Sequence, residues 1–199
     1  MSDPQSLSLV GGALCLDFAN TLEFRRTARE EEALTSFEEL RRWAARVGAI
    51  EGEAAELLRR SASDDPEAAR RVLADARRLR EAIYDVLSAV AGGMAPQTAA
   101  LEALNAALKP LLSASHVSVD DRGARLLWSG PPAALEQVLW PVAWSILELM
   151  LNDELSRVRE CANQECHWLF VDRSRNRSRR WCDMAICGNV MKVRRFRQK

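Results

Sequence analysis

The chain has 199 residues, 48% of them hydrophobic and 28% charged, and 28 Lys+Arg balance 28 Asp+Glu. These are the proportions of an ordinary globular protein, long enough for one medium domain or for one domain with a small module. Taken whole, zero net charge argues against a polyanion-binding or membrane-surface protein, and no apolar stretch approaches the roughly 20 residues of a membrane helix.

In chain order, the segment from Val10 to Leu22 comes first. Leu14, Phe18 and Leu22 fall on one helical face, which predicts a helix from about Ala13. Ser36 with Glu39 three positions later is a capping-box arrangement, followed by Phe37, Leu40, Trp43 and Val47 at helical spacing and by Gly48 as a stop. A short helix is expected over 53–61. Asp65-Pro66 then opens a long one with a stripe at Val72, Leu79, Ile83, Val86 and Val90, closed by Gly92-Gly93. A further helix runs over about 97–112, with a kink or end at Pro110. Alternation at 116–119 and again at 125–128, about the turn Asp120-Asp121-Arg122-Gly123, predicts a β-hairpin. Pro131-Pro132 leads into an apolar helix over about 133–155, bent at Pro141. The pattern is mainly α: a helical N-terminal domain with one small hairpin over residues 1–156, and a small module over 157–199.

The zero net charge is a sum over two unlike parts. Residues 157–199 hold 12 Lys+Arg and 4 Asp+Glu, so the remainder is acidic by the same margin. The expectation is that the acidic part folds over the basic one and screens it. The first residues show no basic, apolar leader pattern, so a cytoplasmic location is expected, where thiols stay reduced and clustered cysteines read as metal ligands. Cys161, Cys166, Cys182 and Cys187 form a Cys-x4-Cys-x15-Cys-x4-Cys pattern. Two short chelating arms of soft sulfur suit one tetrahedral zinc ion per chain, and a filled shell makes it structural. The 43 residues carry only twelve large apolar side chains, too few to fold reliably without such a staple. Trp168 to Asp172 is expected as a strand pairing with residues before Cys161, and a helix is expected over 188–198. Together they make a treble-clef-like module. His167, next to Cys166, is an ordinary histidine, since four sulfurs already fill the shell. Cys15, between Leu14 and Leu16, reads as a buried small apolar residue.

Between the arms, Arg173, Arg175, Arg177 and Arg179 alternate with small polar residues and would share one face of an extended chain, with Arg180 following. The terminal helix adds Lys192, Arg194, Arg195, Arg197 and Lys199. Such a surface suits phosphate-backbone binding. Its alternatives are an RNA-binding or a protein-interaction module, or charges that only solvate the surface. In the N-terminal part, Asp17, Asn20 and Thr21 are candidates for a ligand pocket, or else for a buried network. Trp140 and Trp144 are core residues or a homodimer interface. No nucleophile–base set or phosphate loop is apparent, so an enzyme is not expected.

The run Arg159-Glu-Cys-Ala-Asn-Gln-Glu-Cys-His-Trp-Leu-Phe-Val-Asp-Arg-Ser-Arg-Asn-Arg-Ser-Arg-Arg-Trp-Cys-Asp-Met-Ala-Ile-Cys-Gly-Asn189 resembles the bacterial CGNR zinc finger. Gly11-Gly-Ala-Leu-Cys-Leu-Asp-Phe-Ala-Asn-Thr21 is similar to the opening of the ABATE domain that precedes such fingers. The resemblance implies a stress-related transcription regulator with Cys161, Cys166, Cys182 and Cys187 on zinc. It also implies DNA contacts from Arg173, Arg175, Arg177, Arg179, Arg180 and Lys192, and an N-terminal domain that senses a ligand or dimerises. The naming motif has arginine after Gly-Asn; this chain has Val190.

Overall fold

The computed structural model describes residues 5–121 and 123–197. The first helix, α1 (Leu14–Ala19), is shorter than expected, and Leu22 leaves it for β1 (Leu22–Glu23). That strand pairs antiparallel with β2 (Glu31–Glu32), a ribbon the sequence reading did not contain. Ser36 caps α2 (Phe37–Arg46) by accepting from the Glu39 N–H, and Phe37, Leu40, Trp43 and Ala44 line its buried face. After α3 (Gly52–Asp64), Asp65 caps α4 (Pro66–Ala91) through the Ala68 N–H, with Pro66 in the first turn, where its missing N–H costs nothing. Val72, Ala76, Leu79, Ile83 and Val86 on α4 are buried. The next helix, α5 (Thr98–Ser113), runs on past Pro110. The expected hairpin follows as β3 (Ser115–Asp120) and β4 (Gly123–Trp128), in register from Ser115 opposite Trp128 to Asp120 opposite Gly123.

The single helix expected over 133–155 is three pieces. A 3-10 turn (Leu135–Leu139) precedes α6 (Trp140–Leu151), and a second 3-10 turn (Asp153–Arg157) follows. Pro141 sits in the first turn of α6, so the proline starts a helix rather than bending one. Asn152 ends it and caps the next turn by accepting from the Glu154 N–H. Among the described residues no helix is long and apolar enough to cross a membrane.

The C-terminal module begins with the expected pairing of β5 (Val158–Glu160) and β6 (Leu169–Val171), antiparallel from Val158 opposite Val171. A π-helical turn (Met184–Gly188) leads into α7 (Asn189–Arg197). Strand alternation gives this hairpin two buried faces. Val158, Leu169 and Val171 belong to the same apolar cluster as α1, α2, α4 and α6, where the Phe18 and Trp43 rings lie 5.3 Å apart. Trp168 and Phe170 point the other way, into a second cluster with the four cysteines, Leu7 and Ala33.

Candidate metal centre and nucleic-acid interface

The first chelating arm is the connection between β5 and β6. The Cys161 N–H donates to the Trp168 carbonyl at 2.8 Å, extending the hairpin, and the Cys166 N–H donates to Asn163 O at 2.8 Å, folding the arm into a knuckle. The second arm opens the π-helical turn, where the Asp183 carboxylate accepts from the Ala185 and Ile186 N–H groups. All four cysteines are buried, and their sulfurs lie within 4.8 Å of one another. Cys182 Sγ is 3.6 Å from both Cys166 Sγ and Cys187 Sγ. A tetrahedron with Zn–S bonds of about 2.3 Å has edges of about 3.8 Å, so the donor set fits one zinc ion.

Two N–H groups support the sulfurs. The Cys182 N–H points to Cys161 Sγ and the Asn163 amide to Cys187 Sγ, each at 3.5 Å. Four thiolates at this spacing need a cation between them, and the module holds one structural zinc per chain.

His167 lies outside the sulfur set, in left-handed backbone (φ 60°), with Nδ1 2.6 Å from the Glu160 carboxylate. Cys15 is buried beneath α6, and burial pushes its thiol up to about 12, as expected of an inert core residue.

The sequence matches the CGNR zinc finger over residues 157–199. Over residues 12–153 it matches ABATE, described as "putative stress-induced transcription regulator". The chain belongs to the ABATE family. No curated protein matches it.

The ABATE opening segment joins the helical core to the finger. The Asn20 side chain is buried and grips one residue of β6 from both sides. Its amide donates to the Leu169 carbonyl and its oxygen accepts from the Leu169 N–H, each at 2.9 Å. The Val171 N–H donates to Gly11 O at 2.8 Å. The Gly11 N–H donates to Asp17 at 2.8 Å, and a Cβ on Gly11 would sit 2.8 Å from Leu16 Cβ, so no other residue fits. The Thr21 hydroxyl donates to Phe18 O at 2.8 Å and receives Arg80 at 3.3 Å. Asp17, Asn20 and Thr21 thus each bond to protein partners within this internal network. From α4, Tyr84 OH donates to His167 O at 3.2 Å and Ser88 OH to Glu160 at 2.6 Å, adding a second seam.

The basic loop is not extended, so its four alternating arginines do not share a face. The cause is Asp172, whose buried carboxylate accepts from the Ser174 N–H and hydroxyl and from the Arg179 N–H, at 2.9, 2.5 and 2.9 Å. The chain curls around it, and Arg177 takes left-handed backbone (φ 49°). Burial alone would raise the Asp172 carboxyl, but these hydrogen bonds outweigh it and hold the group below its usual range. Arg173 turns back to the helical core, bonding Glu154 at 2.5 and 2.9 Å and Gly12 O at 2.9 Å. Arg179 lies 4.3 Å over the Phe170 ring and donates to the Trp181 and Cys182 carbonyls. Arg175, Arg177 and Arg180 stay exposed, Arg180 stacked 5.1 Å over Trp181.

On α7, Lys192 is exposed and Arg194 pairs with Glu165 at 2.7 Å, a carboxylate that also takes Arg29 at 2.6 Å. The side chains of Arg195 and Arg197, and all of Lys199, lie outside the described residues. Among the described residues, the ion pair that sets a carboxylate of the helical part on a cation of the basic module is Arg173–Glu154. Arg175, Arg177, Arg180 and Lys192 carry no ion pair among the described residues.

Proposed function

We propose that the chain is a cytoplasmic transcription regulator that grips duplex DNA through its zinc module, while the helical domain takes the signal or dimerises. The observation that carries this reading is the Asp172-caged loop. It presents Arg175, Arg177 and Arg180 to solvent on a fixed backbone, and α7 of the same module adds the exposed Lys192. With the backbone already ordered, phosphate binding has only side-chain ordering left to offset. Binding should weaken steeply with salt, by about 0.9 log units of affinity per log unit of salt for each phosphate contacted. Replacing both Arg175 and Arg177 with alanine should lower that slope by about 1.8 and leave one zinc per chain. Salt-insensitive binding, or none at low salt, counts against the proposal.

A protein partner for the same module is the second reading. It is favoured by one observation: Ile186, Val190 and Val193, at helical spacing, and Phe196 are exposed. In a pull-down, a partner held there is lost on Val190→Ser with Val193→Ser and kept on Arg175→Ala with Arg177→Ala; DNA binding shows the reverse.

A further inference from the structure

A cleft of about 920 Å³ lies between α4, α5 and the segment after β4. Its floor is buried Leu79, Ala82, Leu111 and Leu139. Its α5 wall is Ala100, Ala103, Ala107 and Pro110, a single stripe by helical spacing, with Ala106 beside it and Ala114 just past the helix end. These alanines leave open the volume that leucines would fill against α4. Trp128 closes one end. Its indole N–H donates to Pro131 O at 3.4 Å, and a Cβ on Gly130 would come within 2.4 Å of the ring, so the glycine lets the indole fold back over the cleft.

The rim carries four carboxylates, Asp75, Glu81, Asp85 and Glu136, against two guanidiniums, Arg77 and Arg78. Arg78 is paired with Asp75, and Arg77 donates to Leu34 O and pairs with Glu32. Glu81 is held by Arg25 and Arg80. Asp85 and Glu136 are exposed and have no partner among the described residues, so the uncompensated charge at the mouth is negative.

We propose that this cleft binds a lipophilic organic cation. Its apolar body lies on the alanine wall and the Trp128 ring, and its charge sits between Asp85 and Glu136. The volume suits a drug-sized ligand, and an indole face attracts a positive charge as well as an apolar surface. The inference deepens the reading of the helical domain as the part that takes a signal. It is measured without DNA, so failure of DNA binding and failure of this site are separate results.

The test is isothermal titration of the full zinc-loaded chain with tetraphenylphosphonium, and with tetraphenylborate as a probe of the same shape and opposite charge. The phosphonium should bind, and the borate at least about tenfold more weakly. Asp85→Asn with Glu136→Gln should weaken the phosphonium by about three- to tenfold. Ala103→Trp, at an exposed helix position, should abolish it, and Ala106→Trp serves if that variant melts lower than the parent. No phosphonium binding at millimolar concentration, equal affinity for the two probes, or unchanged binding in a stably folded tryptophan variant would each overturn the proposal.

Discussion

Replacing Asn20 with alanine leaves the Leu169 N–H and C=O buried without partners, since nothing else is in place to bond them. Each orphaned group costs about 1–3 kcal/mol, so Asn20→Ala should lose roughly 2–6 kcal/mol in urea unfolding. A loss below about 1 kcal/mol would show that the contact is incidental. Asp17 makes the opposite kind of prediction. Burial outweighs its bond from Gly11 and raises the carboxyl from 3.8 to about 6. Between those values the folded chain holds a proton that the unfolded chain has released, so this group's contribution to stability falls as pH rises through the window. Asp17→Asn should therefore gain on the parent from pH 4 to pH 6, by about 1–3 kcal/mol, and hold that margin above. Parallel unfolding curves of constant separation across that range would contradict it.

At the level of elements, what was legible depended on where the deciding interaction lies. Ser36 and Asp65 cap their helices through partners three residues away, so short-range patterns located both starts. The four-cysteine pattern was legible for the same reason, since its spacing is the chemistry. The basic loop was misread because arginine alternation imitates a strand, whereas Asp172, just before it, folds the backbone through two Ser174 bonds and one to Arg179. The β1–β2 ribbon gave no signal. Strands of two residues have no period, and Glu31-Glu32 looks solvated until Arg80, distant in sequence, forms its two bonds with Glu32 at 2.6 and 2.7 Å. If the cage shapes the binding surface, Asp172→Ala should keep its zinc and yet lose about tenfold in DNA affinity at fixed salt, because three arginines must then be ordered on binding. Undiminished affinity in a filter or anisotropy assay would remove the cage from the account.

For the molecule as a whole, the shared β5–β6 hairpin decides how the parts stand or fall. Zinc contributes on the order of 10 kcal/mol to a small four-cysteine module, and here that module supplies Val158, Leu169 and Val171 to the helical core. Chelating the metal should therefore lower the melting midpoint of the entire chain in one transition, followed by helix content and tryptophan emission together. Two separate transitions would mean that the halves are independent. By the same argument, residues 157–199 prepared alone with zinc should stay unfolded by circular dichroism, because the apolar face of their hairpin loses its cover.

Asn20 holds the finger by main-chain atoms only, an N–H and a C=O that every residue except proline presents alike. These two bonds are thus blind to the side chain at position 169, while its packing in the helical core asks only that it be apolar. Foreign fingers with the same hairpin backbone should therefore still be clasped when spliced behind this helical domain, provided position 169 and its neighbours stay apolar. The zinc module should thus be exchangeable while the joint stays unchanged.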